Sequence, residues 1–300
     1  MAIPITSFLS SLITPTSHAW SNIIDNALGE HFKENIFLLV SFTKVLILII
    51  TLPLIFYFAP TISLPLSLIG LLAINSIIDF AYMYPYFMAL KHTDTSIVAS
   101  LFSLGKIIFP IMATTFLKEH LQTVQYIGFF LIIFSSALLT FNPRKFRFNI
   151  AIFYMLLASI LVSIHAILYK YILMQGVTWE MATFWYIVFG GIFGLLFIIK
   201  SPKKSLSLWR GGNSSTKKLL YLAAVSSLIG NAGFIFALSL LPASIVKAIE
   251  STQPLFISLY AKLFGKKYPH YFKENSTDIV PVIKYSSLLF IVIGTILTVI

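Results

Sequence analysis

Apolar runs of membrane-spanning length alternate with short polar turns along almost the whole chain. A helix needs about 20 apolar residues to cross a bilayer. On that measure the pattern predicts ten spans, at 4–28, 35–58, 64–90, 95–117, 123–141, 149–174, 181–199, 219–241, within 237–267, and at 278–300. The first is weak, because Pro15, His18, Asn22 and Asp25 interrupt it. It is retained because His18-Ala19 is matched by His165-Ala166 in the sixth. The basic, proline-bearing stretch 142–148 reads as a linker, and 200–218 and 265–277 read as polar loops. Gly190-Gly191 in the seventh span suits close helix packing.

The ninth span has an echo. Shifted back by 148 positions, Ala237-Leu238 falls on Ala89-Leu90 and Ser244-Ile245-Val246 on Ser96-Ile97-Val98. Ser251, Ala261, Phe264 and Lys266 fall on Ser103, Ala113, Phe116 and Lys118, giving nine identities over thirty ungapped positions. A preserved register of this length argues for duplication. The expected fold is therefore an all-α polytopic membrane protein, with ten transmembrane helices in two five-helix repeats, 1–141 and 149–300, joined by 142–148. An odd number of helices per repeat inverts the second against the first, which is a plan of secondary transporters.

Composition agrees. The 300 residues are 58% hydrophobic and 10% charged, against about 25% charge in soluble domains. The net charge of +11 is carried mostly by short loops, which favours anchoring at a membrane face over nucleic-acid binding. With no cysteine, disulfides, thiolate catalysis and Cys-zinc sites are excluded, and no metal or cofactor is expected. The first basic side chain is Lys33, so a cleaved signal peptide is not expected.

Against this background the charges inside the spans carry the information. Ionisable residues in lipid are costly and face protein or a water-filled cavity. The candidates for substrate binding are Lys106, Glu250, Lys247, Asp79 and Lys44, joined by the polar His18, His165 and Asn231. Lys247 and Glu250, three residues apart, share a helix face. Lys106 and Glu250 each stand four residues before a proline, Pro110 and Pro254, which cannot donate to the carbonyl four residues back. Both side chains are expected to face one central cavity at similar depth, paired or bridged by a solute. The plainer alternative pairs Lys106 with Asp79 and Glu250 with Lys247. Trp185 and Tyr82, Tyr84 and Tyr86 read chiefly as packing or interfacial residues.

Several of these residues carry a resemblance. Ala237-Leu238, Ala243-Ser244, Pro254-Leu255-Phe256 and Gly265-Lys266 in the second repeat, with Ala89-Leu90, Thr95-Ser96 and Lys118-Glu119 in the first, resemble the drug/metabolite transporter superfamily in its ten-helix EamA-like branch. Two departures stand out. Lys106 occupies the family's proline position, and Lys266-Lys267 replaces the Gly-Glu acid. The resemblance implies a solute carrier whose helices 1–4 and 6–9 line a central cavity, with helices 5 and 10 outside.

The expected function is secondary transport of a small polar metabolite, an amino acid or a related compound, across the cytoplasmic (inner or plasma) membrane by alternating access. Intramembrane ionisable groups also suit proton coupling. The partners are a small-molecule substrate and the lipid bilayer, not nucleic acid, with the protein a monomer or homodimer. An intramembrane enzyme acting on a lipid or peptide is the rival, without His-Glu-x-x-His or Gly-x-Ser-x-Gly to support it. A non-transporting membrane subunit is the third reading, and it gives no reason for charges inside spans. Basic loop residues such as Lys33, Lys91, Arg144, Lys203 and Lys217 gather on the linker side, with Lys118 and Lys170 on the other. The positive-inside rule then puts the linker side in the cytoplasm and both termini outside, against the family's usual arrangement.

Overall fold

A computed structural model describes residues 4–32, 35–58, 64–92, 95–140, 150–266 and 281–299. The proposed linker 142–148 and most of the loop after the ninth span lie outside the described residues. The helices are α1 (Ile5–Ser11), α2 (Ile13–Phe32), α3 (Ile36–Phe58), α4 (Leu66–Ala81), α5 (Met83–His92), α6 (Thr95–Gly105), α7 (Phe109–Leu117) and α8 (Thr123–Thr140). They continue as α9 (Ile150–Met174), α10 (Trp179–Lys200), α11 (Pro202–Gly211), α12 (Ser214–Leu240), α13 (Ala243–Glu250), α14 (Gln253–Phe264) and α15 (Pro281–Val299). A 3-10 turn, Lys106–Ile108, joins α6 to α7.

Every element among the described residues is a helix, and the chain is a multi-pass membrane protein. Among the described residues, five stretches are long and apolar enough to cross a bilayer: Ile36–Pro53, Leu66–Ala89, Ile150–Met174, Trp179–Lys200 and Ser214–Leu240. Leu101–Leu117, Thr123–Leu138 and Tyr285–Thr298 are apolar but shorter. Burial is inverted relative to a water-soluble domain. Leu196 is 57% exposed and Ile199 67%, while Lys106 is 4% and Lys247 2% exposed. Such a surface is stable only against hydrocarbon.

Two expectations need correction. The stretch 200–218, read as a loop, contains α11 and the first turn of α12. Pro202 opens α11, where its missing N–H costs nothing. Trp209 packs on Phe42, and His31 reaches the carbonyl of Leu208 at 3.2 Å. Asn213 is the N-cap of α12, its side-chain oxygen accepting the N–H of Thr216 at 2.8 Å. The second correction is that the first, third, fourth and ninth spans are broken helices, at Leu12, at Tyr82, at 106–108 and at Ser251-Thr252.

The two halves of the chain interleave. α2 packs on α12, α3 on α10, α4 and α5 on α9, and α8 on α15. Exchanging the halves maps these pairings onto one another. The α8–α15 crossing sets backbone against backbone. A Cβ on Gly128 would stand 2.6 Å from the carbonyl oxygen of Gly294, and one on Gly294 would stand 2.9 Å from that of Gly128. Only glycine lets the backbones approach so closely. Gly191 likewise admits Leu48 of α3, whose Cδ2 would be 2.5 Å from an added Cβ.

Candidate functional site

The breaks in the spans create the site. Pro110 has no N–H, so the carbonyl of Lys106 accepts instead from Phe109, and the helix tightens into the 3-10 turn. The expectation that proline would leave this carbonyl free is thus corrected. At the α13–α14 break, hydroxyls reinforce the backbone bonds of Ser251 and Thr252. Ser251 Oγ donates to the carbonyl of Lys247 (2.8 Å), Thr252 Oγ1 to that of Ile249 (2.7 Å), and Ser136 Oγ, from α8, to that of Ser251 (2.6 Å). Broken backbone is tolerated at membrane depth where it is so satisfied.

Between the helices lies a cavity of about 420 Å³, within the range of small-solute sites. Lys44, Asp79, Lys106, Lys247, Glu250, His18, His165 and Asn231 all line it. Its walls come from α2 to α6, the 3-10 turn, α9, α10, α12, α13 and α14, and none from α8 or α15. The resemblance implied this division of lining and outer helices.

The charges pair in part as the plainer alternative had it. Lys247 Nζ donates to Glu250 Oε2 at 2.6 Å and stands 4.7 Å from the centre of the Phe234 ring. Asp79 does not take Lys106. Its Oδ2 accepts from Lys44 Nζ at 2.5 Å, and the same ammonium donates to the hydroxyl of Tyr186. Lys106 forms no ion pair among the described residues. Its ammonium lies 5.2 Å from the centre of the Phe102 ring. The direct pairing of Lys106 with Glu250 is therefore absent. An i,i+3 neighbour occupies the carboxylate first.

The polar candidates are held locally. His18 seats its ring against Gly230, where an added Cβ would come 2.3 Å from its Cδ2. His165 Nδ1 donates to the carbonyl of Asn75 at 3.3 Å, and its ring meets Tyr169 edge-on at 4.8 Å. Asn231 Nδ2 donates to the carbonyl of Ser227 in its own helix at 2.8 Å.

Tyr82 and Tyr86, read as packing, also line the cavity, whereas Trp185 stacks on Phe189 and does not. Three residues were missed. Asp25, taken for an interruption of a weak span, lines the cavity with Ser21 as its hydrogen-bond partner at 3.4 Å. Glu119 was visible only as part of a motif. Its carboxylate accepts from the N–H of Ala243 (2.7 Å) and from the N–H and hydroxyl of Ser244 (both 3.2 Å), capping α13. Lys170 donates to the carbonyls of Leu238 and Leu241, both at 2.8 Å, where α12 ends. The Glu119 contacts tie the halves together at one end of the bundle, and the Lys170 contacts brace the second half there. The cavity extends toward the other end, where Asn22 and Asp25 of α2, Ile36 of α3 and Tyr86 and Phe87 of α5 line it.

Comparison with known proteins agrees with this fold. A crystal structure of a protein matches with a TM-score of 0.69 at 13% identity, over 97% of this chain and 94% of that one. At that identity the likeness speaks for the fold. No curated protein matches the chain. The EamA-like transporter family matches twice, over residues 7–141 and 149–273. The chain belongs to the EamA-like transporter family and is a membrane transporter of the drug/metabolite type.

Proposed function

We propose that the protein is a secondary transporter that carries a small polar metabolite, an amino acid or a related compound, across the cytoplasmic membrane by alternating access. One observation carries this reading. Eight ionisable or polar side chains from both halves converge on one cavity, with the Glu119 and Lys170 contacts at one end of the bundle. A second state, with the Glu119 and Lys170 contacts broken and the opposite end closed, completes the cycle.

The repeat plan of ten helices, five before and five after 142–148, is supported by the double family match and by the symmetric pairing of the halves. The loop charges favour termini outside. The intramembrane carboxylates offer proton coupling, and the protein works as a monomer or homodimer.

Purified protein in liposomes, offered a labelled metabolite mixture, tests the reading. Uptake of an unchanged solute is the expected result. Turnover of a lipid or peptide without uptake points to an intramembrane enzyme. Absence of both, with the protein co-purifying with a transporter, points to a subunit.

A further inference from the structure

Three lysines line the cavity, Lys44, Lys106 and Lys247. Two of them are neutralised. Lys44 donates to Asp79 at 2.5 Å and Lys247 to Glu250 at 2.6 Å. Lys106 forms neither a hydrogen bond nor an ion pair among the described residues. Sharing Glu250 between Lys106 and Lys247 would still leave one of the three ammonium groups unmatched. Asp25, the third carboxyl group on the wall, accepts the Ser21 hydroxyl at 3.4 Å and stands in no ion pair among the described residues.

Lys106 is held in this position. It begins the 3-10 turn and is 4% exposed. Gly105, next to it, lies flat on Ser159 of α9, where an added Cβ would overlap the serine side chain. The turn is thus pinned against α9, with the ammonium on the cavity wall. Aromatic rings flank it. The ammonium stands 5.2 Å from the centre of the Phe102 ring. Phe102 meets Tyr86 edge-on at 6.2 Å, Tyr86 meets Phe87 edge-on at 5.1 Å, and all three rings line the cavity. A ring face attracts a cation but brings no counter-charge. A cation without one is costly inside a membrane, and a bound anion removes that cost.

We infer that the cavity binds the anion of an apolar monocarboxylic acid, its carboxylate on Lys106 and its apolar body along Phe102, Tyr86 and Phe87. This rests on the solute-binding cavity proposed above and narrows the solute to acids that lack an ammonium group. An α-amino acid brings a second cation beside its carboxylate. The carboxylates of Asp79 and Glu250 already hold lysines, so that ammonium would have to displace a tethered one. Glu250 is then the partner of Lys247 and not an ammonium acceptor.

The test is ligand binding to the purified full-length protein in detergent, by titration calorimetry with thermal stabilisation as a second measure. The probes share one apolar body: 3-phenylpropionate, its neutral amide, phenylalanine and phenethylamine. Binding of 3-phenylpropionate is expected to be about tenfold or more tighter than that of the other three, the effect of one charge-assisted contact without a competing ammonium. Lys106→Gln should bring 3-phenylpropionate down to the level of the amide and leave the amide unchanged, and Lys106→Arg should restore the preference. Phenylalanine or phenethylamine binding as tightly as 3-phenylpropionate overturns the inference, as does failure of both 3-phenylpropionate and hexanoate to bind at millimolar concentration. So does a Lys106→Gln protein that keeps the original ratio. The wild-type series decides the matter even if a variant does not fold. Liposome uptake separates this from the transporter reading. Binding of 3-phenylpropionate with no uptake of any solute sinks transport alone, and uptake of a solute that it does not compete with sinks the monocarboxylate assignment alone.

Discussion

The Glu119 carboxylate accepts the backbone N–H of Ala243 at 2.7 Å, so a residue of the first half caps a helix of the second. Lys118, just before it, holds φ at 57°, the left-handed region that turns the chain out of α7. The acid is thereby delivered to the free N–H groups of α13, where the helix dipole favours a negative charge. Glu119→Gln should weaken this cap by about 1–2 kcal/mol. The chain has no cysteine, so Leu241→Cys, at a position only 2% exposed, reports on opening of this end. Its labelling by a membrane-impermeant maleimide should be slow and should speed up several-fold when Glu119→Gln is added. Equal labelling rates in the two backgrounds would show that the contact is not a seal.

Lys118→Gly should raise stability. A non-glycine residue in the left-handed region is strained by about 1–2 kcal/mol, and glycine loses part of that gain to its greater freedom in the unfolded chain. The net expectation is an increase of about 0.5–1 kcal/mol, read as a higher melting temperature in detergent. A lowered melting temperature would mean that the Lys118 side chain holds the turn.

The charged residues should separate by stability. Glu250→Ala leaves Lys247 buried without its partner, which costs about 3–5 kcal/mol, and the double change with Lys247→Ala should recover most of the loss. Lys106→Ala removes an ammonium that has no ionic partner among the described residues, so stability should hold while uptake is lost. Thermal melts beside liposome uptake check both. Normal uptake by Lys106→Ala removes Lys106 from the substrate path.

Gly128→Val should separate α8 from α15. Its side chain would enter the backbone of α15, since even a Cβ would stand 2.6 Å from the Gly294 oxygen and 2.8 Å from the Thr298 nitrogen. A loss of about 1–3 kcal/mol or more is expected from overpacking, with a fall in the yield of folded protein. Because neither helix lines the cavity, the folded fraction should bind solute with unchanged affinity. A changed affinity at unchanged stability would place the α8–α15 pair in the transport path.

A reporter active only in the cytoplasm, fused after Ile300, should be silent. The loop charges on the linker side favour termini outside. Activity of the fusion would reverse the orientation and with it the side toward which the cavity extends.

Much of this molecule is written in local chemistry. A run of apolar residues in a bilayer has one way to satisfy its backbone, so the helices around Lys44, Lys106 and Glu250 follow from composition alone. The cost of charge in lipid then directs those same side chains to an interior cavity, and all of them line it. The i,i+3 spacing likewise brings Lys247 to Glu250. Which carboxylate takes Lys44, and that none takes Lys106, depends on how α3 meets α4 across a span of chain that no local period encodes. The α11 helix needs Phe42 and His31 from distant helices to hold a polar segment in place. Asp25 reads as a defect in a weak span until packing places it in a cavity also lined by α5 and α12, and Glu119 is an exposed-looking acid until Ala243 arrives. Helix formation and the exclusion of charge from lipid act over a few residues at a time. The choice of ionic partner and the contacts at the Glu119 end join positions 35 to 124 residues apart, which only packing brings together.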